Sequence, residues 1–336
     1  MKFKDYILPK SMVYTGEHKT KPTTIKHWHY DDQTLKKTDA FAPQDNLKHY
    51  IQVIGLSDIK TITEVKNQYP VDALILADIF NVKQRNKIEI KDTYLFGVFH
   101  IEYLKQETIV EDYLSVLVFE NTVISFHETD PVYLAPLTDH FENNTDLRTK
   151  SADYLFFQLL DIITDNHLKV YERLESDATT FEAEILESSV VNQEQFYLLR
   201  KQLLKLKNNV APTLEHIDKT ITKRPPFFNP DNQRFFEDLK DHLVRLDNHL
   251  NQARELMRHL LDLQINNQSN KMNRIMTTLT LFSAIFIPLS FLTGFFGMNF
   301  VHFEVLDYEH ALTLFIALCF LLAGFMFFLF KRLKWF

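Results

Sequence analysis

The stretch Ile275–Phe300, IMTTLTLFSAIFIPLSFLTGFFGMNF, decides the fold because it contains no Asp, Glu, Lys or Arg. A second stretch with the same property, Ala311–Phe330, follows after a short acidic segment. Each can span a hydrocarbon core about 30 Å thick at a rise of about 1.5 Å per residue. Buried core helices are the alternative, but they rarely run this long without a polar face. We therefore predict two transmembrane helices, at about 275–297 and 311–330.

The charges that flank these spans predict their orientation. Basic residues flank the pair of spans. Lys271 and Arg274 precede the first span, and Lys331, Arg332 and Lys334 follow the second. The charged residues of the connecting loop are all acidic, namely Glu304, Asp307 and Glu309. Because Lys and Arg mark the cytoplasmic side, we expect a multi-pass protein of the cell membrane with both termini in the cytoplasm. The first thirty residues lack an apolar segment, so we also expect no cleaved signal peptide.

Composition argues against several classes of protein. The net charge is −7 with acids spread along the chain, which does not favour nucleic acid as a partner. The single cysteine, Cys319, argues against a multi-cysteine metal site. The glycines form no phosphate-binding motif, and no nucleophile has a recognisable base partner. We predict neither a nucleotide cofactor nor an enzyme. For His27 and His29 in "HWHY" we favour a surface loop over a metal site, because two histidines without a third ligand are a weak signal.

The first span carries a line of small, polar or flexible side chains at helical spacing. Counting by three and four gives Asn273, Met276, Thr280, Ser283, Ile287, Ser290 and Gly294. Two helices cannot enclose a pore, so a conduction path along this line requires several copies of the chain. The alternative is ordinary packing of small residues between membrane helices. The second span has no such line and is predicted to face lipid.

The end of the first span, Gly294 to Phe300, contains two glycines and an asparagine that are costly in a membrane helix. The glycines would supply backbone carbonyls and remove bulk where helices converge. Asn299 would then present a neutral amide oxygen at the outer mouth. Because Mg²⁺ loses its water reluctantly, such oxygens suit an ion that keeps its hydration shell. We predict a selectivity filter at Asn299, with Gly297 beside it.

The remaining sequence predicts a cytoplasmic α/β domain over 1–150, and a helical domain and stalk over 151–270, before the hairpin at 271–336. Long helices are expected at 151–190 and 193–221. A heptad pattern follows at Phe236, Leu239, Leu243, Leu246, Leu250, Ala253, Met257 and Leu260. No helix breaker intervenes before Pro288, so one helix is expected from about 231 to 296. The fold class is thus an α+β membrane protein with a stalk that continues into the first span.

Local patterns in 1–150 predict individual elements. Tyr50–Leu56 is expected to be a strand, followed by a helix capped by Ser57. Leu114–Glu128 is expected to form a hairpin that turns at Glu120 and Asn121. Acidic residues lie on the predicted helical segments, for example Asp78 after an apolar run. By sequence alone, such acids are typical of helix ends and of solvated helix faces.

These features resemble the CorA family of magnesium and cobalt transport channels. The resemblance rests on "FGMNF" at the end of the first of two terminal spans and on the basic, aromatic tail "KRLKWF". Further similar stretches are "LADIFNVKQRNKIEI", "RTKSADYLFFQLLDIITD", "FEDLKDHL" and "LLDLQINNQSNKMN". Together they run in family order from about residue 70 to the end.

The resemblance implies a homopentameric channel in the lipid bilayer that takes up Mg²⁺ and closes when Mg²⁺ binds on the cytoplasmic side. It adds Met298 to the filter at Gly297 and Asn299 and adds Leu279 to the pore lining. It also places Met276 and Leu279 near a hydrophobic constriction. The implied regulatory metal ligands are Asp78, Asp238 and Asp262, with Asp78 and Asp238 meeting between subunits. Where the family often has a second acid, this chain has Ala77.

Two alternatives remain open at this point. A zinc-transporting branch shares the architecture, although it usually varies the middle residue of the GMN signature, which here is Met298. A membrane-anchored sensor or scaffold would use the hairpin as an anchor only. The polar line from Asn273 to Asn299 argues against a simple anchor.

Overall fold

A computed structural model describes residues 13–41, 47–187, 192–298, 308–333 and 335. The chain divides into two compact units. One comprises Met1–Glu182 with Asn192–Arg258, and the other comprises Ala183–Val191 with His259–Phe336. The three-part division expected from the sequence stays a prediction.

The first unit contains a seven-stranded sheet. Its strands are β1 (Thr24–Tyr30), β2 (Leu35–Thr38), β3 (Lys48–Ile54), β4 (Lys87–Ile90), β5 (Leu95–Lys105), β6 (Thr108–Val118) and β7 (Thr122–His127). Their order is β2-β1-β3-β7-β6-β5-β4, and β3 and β7 pair in parallel whereas the other neighbours are antiparallel. The strand predicted at Tyr50–Leu56 is confirmed as β3, which lies two residues earlier at Lys48–Ile54. The predicted hairpin is confirmed as β6 and β7.

Helices cover both faces of this sheet. Helices α1 (Ile59–Asn67) and α2 (Ala73–Phe80) bury Ile62 and Ile79 against strand residues such as Val53, Phe96 and Phe126. On the opposite face, α3 (Ala135–Asn143) brings Phe141 within 4.8 Å of Tyr30, measured between ring centroids. Because strand side chains alternate between faces, each strand contributes to both cores.

Three long helices follow, α4 (Ala152–Glu187), α5 (Gln193–Lys223) and α6 (Gln233–Phe296). They confirm the helices expected from periodicity, including the single helix that runs to residue 296. The eight heptad positions between Phe236 and Leu260 are all buried. At a rise of about 1.5 Å per residue, α6 is about 96 Å long.

Buried polar contacts tie these helices to the sheet in the first unit. His167 Nε2 of α4 lies 2.9 Å from Glu102 Oε2 of β5, and Asn209 Nδ2 of α5 donates to Glu102 Oε1. Asn86 Nδ2 donates to the Asn209 carbonyl oxygen and to the Thr213 hydroxyl of α5. Such groups are costly to bury without partners, so these contacts fix where α4 and α5 lie on the sheet.

The second unit contains the end of α6 and α7 (Ala311–Arg332). In the described part of the chain these two helices are long and apolar enough to cross a membrane. Most of their large apolar side chains are exposed, including Phe286, Ile287 and Phe320. Pro288 lies inside α6, where it removes one backbone N–H from the helical ladder.

Two expectations about the first unit are wrong. "HWHY" is part of strand β1 rather than a surface loop, and His27 and His29 are buried because β1 pairs with β2 on one side and β3 on the other. The cap of α1 is Asp58, whose carboxylate accepts from the Lys60 and Thr61 amides. Ser57 instead donates to the Lys21 carbonyl oxygen.

The buried carboxyl of Asp112 makes the stability of the first unit depend on pH. Asp112 lines a cleft of about 710 Å³. Burial raises its pKa from 3.8 to about 6, even though the Tyr113 N–H and the Thr129 hydroxyl donate to the carboxyl. The folded state therefore binds this proton more tightly than the unfolded state. The stabilisation that comes from protonating Asp112 is complete below about pH 4 and is lost as the pH rises through about 6.

We expect Asp112→Asn to increase the free energy of unfolding at pH 7.5 by up to ~3 kcal/mol, with little change at pH 4. The amide can still accept from Tyr113 N–H and can donate to Thr129, so only the charge is removed. Thermal unfolding of the purified protein at both pH values measures the effect. Asp139→Asn, at an exposed position, is the matched control. Equal gains at both pH values would show that the charge is not responsible.

Candidate ion pathway and ion-sensing residues

The predicted pore-lining residues lie along α6 and are exposed in the single chain. This holds for Asn273, Met276, Leu279, Thr280, Ser283, Ile287, Ser290 and Gly294. Met276, Leu279 and Ile287 retain 59%, 66% and 68% of their accessible surface. The Thr280 hydroxyl donates to the Met276 carbonyl oxygen at 2.8 Å, so it leaves an oxygen lone pair on the exposed face. The chain therefore leaves this line of side chains available to a neighbour or to water.

A different face of α6 is less exposed. Its members are Thr277, Leu281, Ala284, Ile285, Pro288, Leu289, Leu292 and Phe296. On α7 the less exposed positions are Ala311, Phe315, Cys319, Leu322, Ala323, Met326 and Phe330. The rings of Phe296 and Phe315 are 5.2 Å apart, which brings the two faces together in the hairpin. Met276 and Thr280 of the exposed line each come one residue before a member of this packed face, namely Thr277 and Leu281. One residue corresponds to about 100° around the helix, so the two faces point in different directions.

The glycines at the end of α6 have different surroundings. A Cβ on Gly297 would lie 3.0 Å from the Thr293 carbonyl oxygen, whereas a Cβ on Gly294 would meet nothing within 4 Å. Packing within the described chain therefore favours glycine at 297 and does not require it at 294. The amides of Gly297 and Met298 still bond to the Thr293 and Phe295 carbonyl oxygens, so the helix closes with a tight last turn. Asn299 lies outside the described residues, and its role in a filter stays a prediction.

Asp78 is held by a lysine that the sequence analysis did not single out. It lies in the last turn of α2, and its Oδ2 is 2.6 Å from Lys87 Nζ of β4. The same ammonium is 2.6 Å from Glu89 Oε1. Burial opposes the charged lysine, but the hydrogen bonds to both carboxylates outweigh it and raise the pKa of Lys87. Asp78 thus already has a cation beside it.

The other two predicted regulatory acids are solvent-exposed on α6. The Asp238 carboxylate retains 68% of its side-chain surface and lies 3.9 Å from His242 Nε2, one helical turn away. Asp262 is exposed further along the helix. Each is available for contact with another chain, and their regulatory role stays a prediction.

Comparisons with known proteins agree with this arrangement. Residues 54–332 match the family model described as CorA-like Mg²⁺ transporter protein. The chain is 27% identical to a cobalt/magnesium transport protein CorA of Thermotoga maritima over 97% of this chain and 96% of that protein. It is 30% identical to a zinc transport protein ZntB of Yersinia enterocolitica over 45% of this chain and 46% of that protein.

A solved structure has the same fold over most of its length. It is described as the complete structure of CorA magnesium transporter from Methanocaldococcus jannaschii. The TM-score is 0.80 at 18% identity, and the match covers 94% of this chain and 99% of that one. The N-terminal α/β region, the long helix and the two terminal apolar helices are therefore one shared fold.

The exposed line on α6 generates a test by cysteine labelling. In a Cys319→Ala background, we expect Ser283→Cys and Ser290→Cys to react with a charged, water-soluble thiol reagent in reconstituted protein. Phe282→Cys and Phe286→Cys, which are equally exposed in the single chain but are expected to face lipid, should react at least ~10-fold more slowly because a thiolate is disfavoured in hydrocarbon. Equal rates at all four positions would contradict a water-filled path along this line.

Proposed function

This chain belongs to the family of CorA-like Mg²⁺ transporter proteins, and from that premise we propose that it is a divalent-cation channel for Mg²⁺ uptake, with Co²⁺ as a second substrate. The observation that carries the proposal is the exposed line of small and polar side chains on α6, which leads to the GMN signature. An anchoring helix has no use for such a line, whereas a shared conduction path needs one from every subunit.

The proposed path is formed by several copies of the chain around a common axis, with five as the number implied by the family. In each copy the exposed face of α6 would point to the axis, while α7 would stand on the lipid side. Asn299 would contribute an amide oxygen to a ring at the mouth, next to Gly297 and Met298. Such a ring suits hydrated Mg²⁺, because outer-sphere hydrogen bonds avoid the cost of stripping water from the ion.

The membrane potential is sufficient to drive this uptake. Moving one charge through about 100 mV is worth about 2.3 kcal/mol, so a divalent ion gains about 4.6 kcal/mol when the cytoplasm is negative. No nucleotide hydrolysis is needed for transport in that direction. The basic residues that flank the spans support cytoplasmic placement of both termini.

Regulation by cytoplasmic Mg²⁺ is part of the proposal. A Mg²⁺ ion held by Asp78 of one subunit and Asp238 of its neighbour would favour the closed state. Asp262 would act as a separate acidic position, about 36 Å further along α6 toward the membrane. In this chain Lys87 neutralises Asp78, and Ala77 offers no second carboxylate. Mg²⁺ must therefore compete with an internal ammonium, which predicts a channel that closes only at relatively high internal Mg²⁺.

Zinc transport is the second candidate function, favoured by the partial similarity to a zinc transport protein. Met298 in the middle of the signature supports Mg²⁺ instead. Parallel flux measurements with Mg²⁺, Co²⁺ and Zn²⁺ separate the two candidates.

For the filter, we expect Asn299→Ala to reduce Mg²⁺ flux into liposomes by at least ~10-fold under an inside-negative potential, because the ring of amide oxygens is lost. Flux is followed with a Mg²⁺-sensitive dye trapped in the vesicles. Asn208→Ala, at an exposed position far along the sequence, is the matched control. Wild-type flux through the Asn299 variant would exclude this residue from the filter, and an absence of flux in wild type would favour an anchored sensor.

For regulation, the midpoint is the internal Mg²⁺ concentration at which the flux is halved. We expect Lys87→Gln to lower this midpoint by ~3- to 10-fold, because Asp78 loses its competing cation. This corresponds to about 0.7–1.4 kcal/mol of binding free energy. The same vesicle assay, with internal Mg²⁺ set during reconstitution, measures the shift. Lys83→Gln removes a charge from an exposed position in the loop that precedes β4 and should leave the midpoint unchanged. A higher midpoint in the Lys87 variant would mean that Lys87 supports the closed state.

A further inference from the structure

Three histidines lie together at one edge of the sheet, away from the proposed ion path in the sequence. In the antiparallel pair of β1 and β3, His29 is directly opposite His49, and His27 is two residues along β1 on the same face. Trp28, Tyr30 and Tyr50 alternate with them and point to the opposite face, where they pack against Phe141. The strand register therefore brings the three imidazoles together as one group.

Their nitrogen atoms are close to the spacing of metal ligands. His27 Nε2 is 3.1 Å from His49 Nδ1, and one nitrogen from each of the three rings lies within 4.8 Å of the others. Tetrahedral Zn²⁺ with Zn–N bonds of about 2.0–2.1 Å separates its ligand nitrogens by about 3.4 Å. One pair is thus already at ligand spacing, and the widest pair needs to close by about 1.4 Å at most.

The surroundings hold the rings in the form that binds metal. All three histidines are buried, with exposed fractions of 0%, 2% and 5% for His27, His29 and His49. Burial and the neighbouring His29 and His49 lower the pKa of His27 to about 3, and burial with His49 lowers the pKa of His29. Because a metal ion binds neutral imidazole, His27 and His29 require no loss of a proton to become ligands.

Two of the rings also contact groups of the kind that orient metal-binding histidines. Thr38 Oγ1 lies 3.4 Å from His29 Nε2, and the His27 ring hydrogen-bonds to the backbone of Ala40. Among the described residues, His29 Nδ1 is buried without a hydrogen-bond partner. A hydrogen bond at one ring nitrogen fixes the ring and directs the other nitrogen to the ion.

We propose that His27, His29 and His49 form a binding site for a late first-row transition-metal ion, with Zn²⁺ as the representative ion and a water molecule as the fourth ligand. Three imidazoles suit Zn²⁺, Co²⁺ or Ni²⁺, whereas Mg²⁺ prefers oxygen ligands. The site therefore disfavours Mg²⁺, the main ion proposed for the pore, although Co²⁺ suits both places. Since its ligands come from β1 and β3, the bound ion cross-links this edge of the sheet.

The test is equilibrium dialysis of the purified full chain against Zn²⁺ in the presence of excess Mg²⁺, followed by metal analysis. Wild type is expected to retain one more Zn²⁺ ion per chain than a double variant that carries His27→Asn and His29→Asn. His140→Asn, at an exposed position, is the matched control and should bind as wild type does. Circular dichroism of the metal-free proteins checks that the variants are folded. Equal Zn²⁺ retention by wild type and a folded double variant would overturn the site.

A second measurement needs no variant. Co²⁺ bound to the wild-type chain should show the intense visible absorption of a four-coordinate ion, and Zn²⁺ should displace it. Zn²⁺ should also raise the thermal unfolding midpoint by about 2 °C or more, because it binds only the folded arrangement. Co²⁺ absorption typical of a six-coordinate ion alone, with no Zn²⁺-dependent shift of the midpoint, would overturn the proposal. Neither readout depends on ion flux, so the result stands apart from the proposed channel function.

Discussion

The absence of water in a hydrocarbon layer constrains this chain more than any other factor. Every backbone N–H and C=O in that layer needs a partner within the protein, so a spanning segment must be helical or part of a closed barrel. The ends of α6 and α7 meet this requirement through their own hydrogen-bond ladders. Once the backbone is satisfied in this way, side chains are free to differ between faces of the helix. The exposed polar line and the packed apolar face of α6 both follow from that freedom.

Local sequence patterns explain why the full length of α6 could be predicted, although Pro288 removes one N–H from its ladder. Its heptad needs only residues that are three or four positions apart, and such local information is visible in a sequence. The eight heptad positions between Phe236 and Leu260 are buried as expected, and the helix ends at Phe296, just before Gly297. The terminal hairpin was predictable for a similar reason, because long charge-free stretches need no partner to be recognised.

The features that were missed depend on residues that are distant in the sequence. The third histidine, His49, comes from β3, so "HWHY" alone shows only two possible ligands and favours a surface loop. Only the pairing of β1 with β2 and β3 shows that His27 and His29 are buried. The ion pair of Asp78 and Lys87 joins the end of α2 to β4, and no periodicity connects these two elements. The roles of Asp238 and Asp262 rest on family resemblance, because an intersubunit site exists only when several chains come together. Asn299 could be proposed from its amide chemistry, but a filter likewise forms only between several chains.

The parallel pairing of β3 with β7 also constrains the order in which the sheet is made. β1, β2 and β3 leave the ribosome as an antiparallel group, yet β7 begins only at Thr122. Synthesis adds about 5–20 residues per second, so several seconds separate the two strands. During that interval the β7-facing edge of β3 lacks the partner it has in the folded sheet, and unpaired edges invite association with other chains. The nascent chain is therefore exposed to edge-to-edge aggregation between the synthesis of β3 and that of β7.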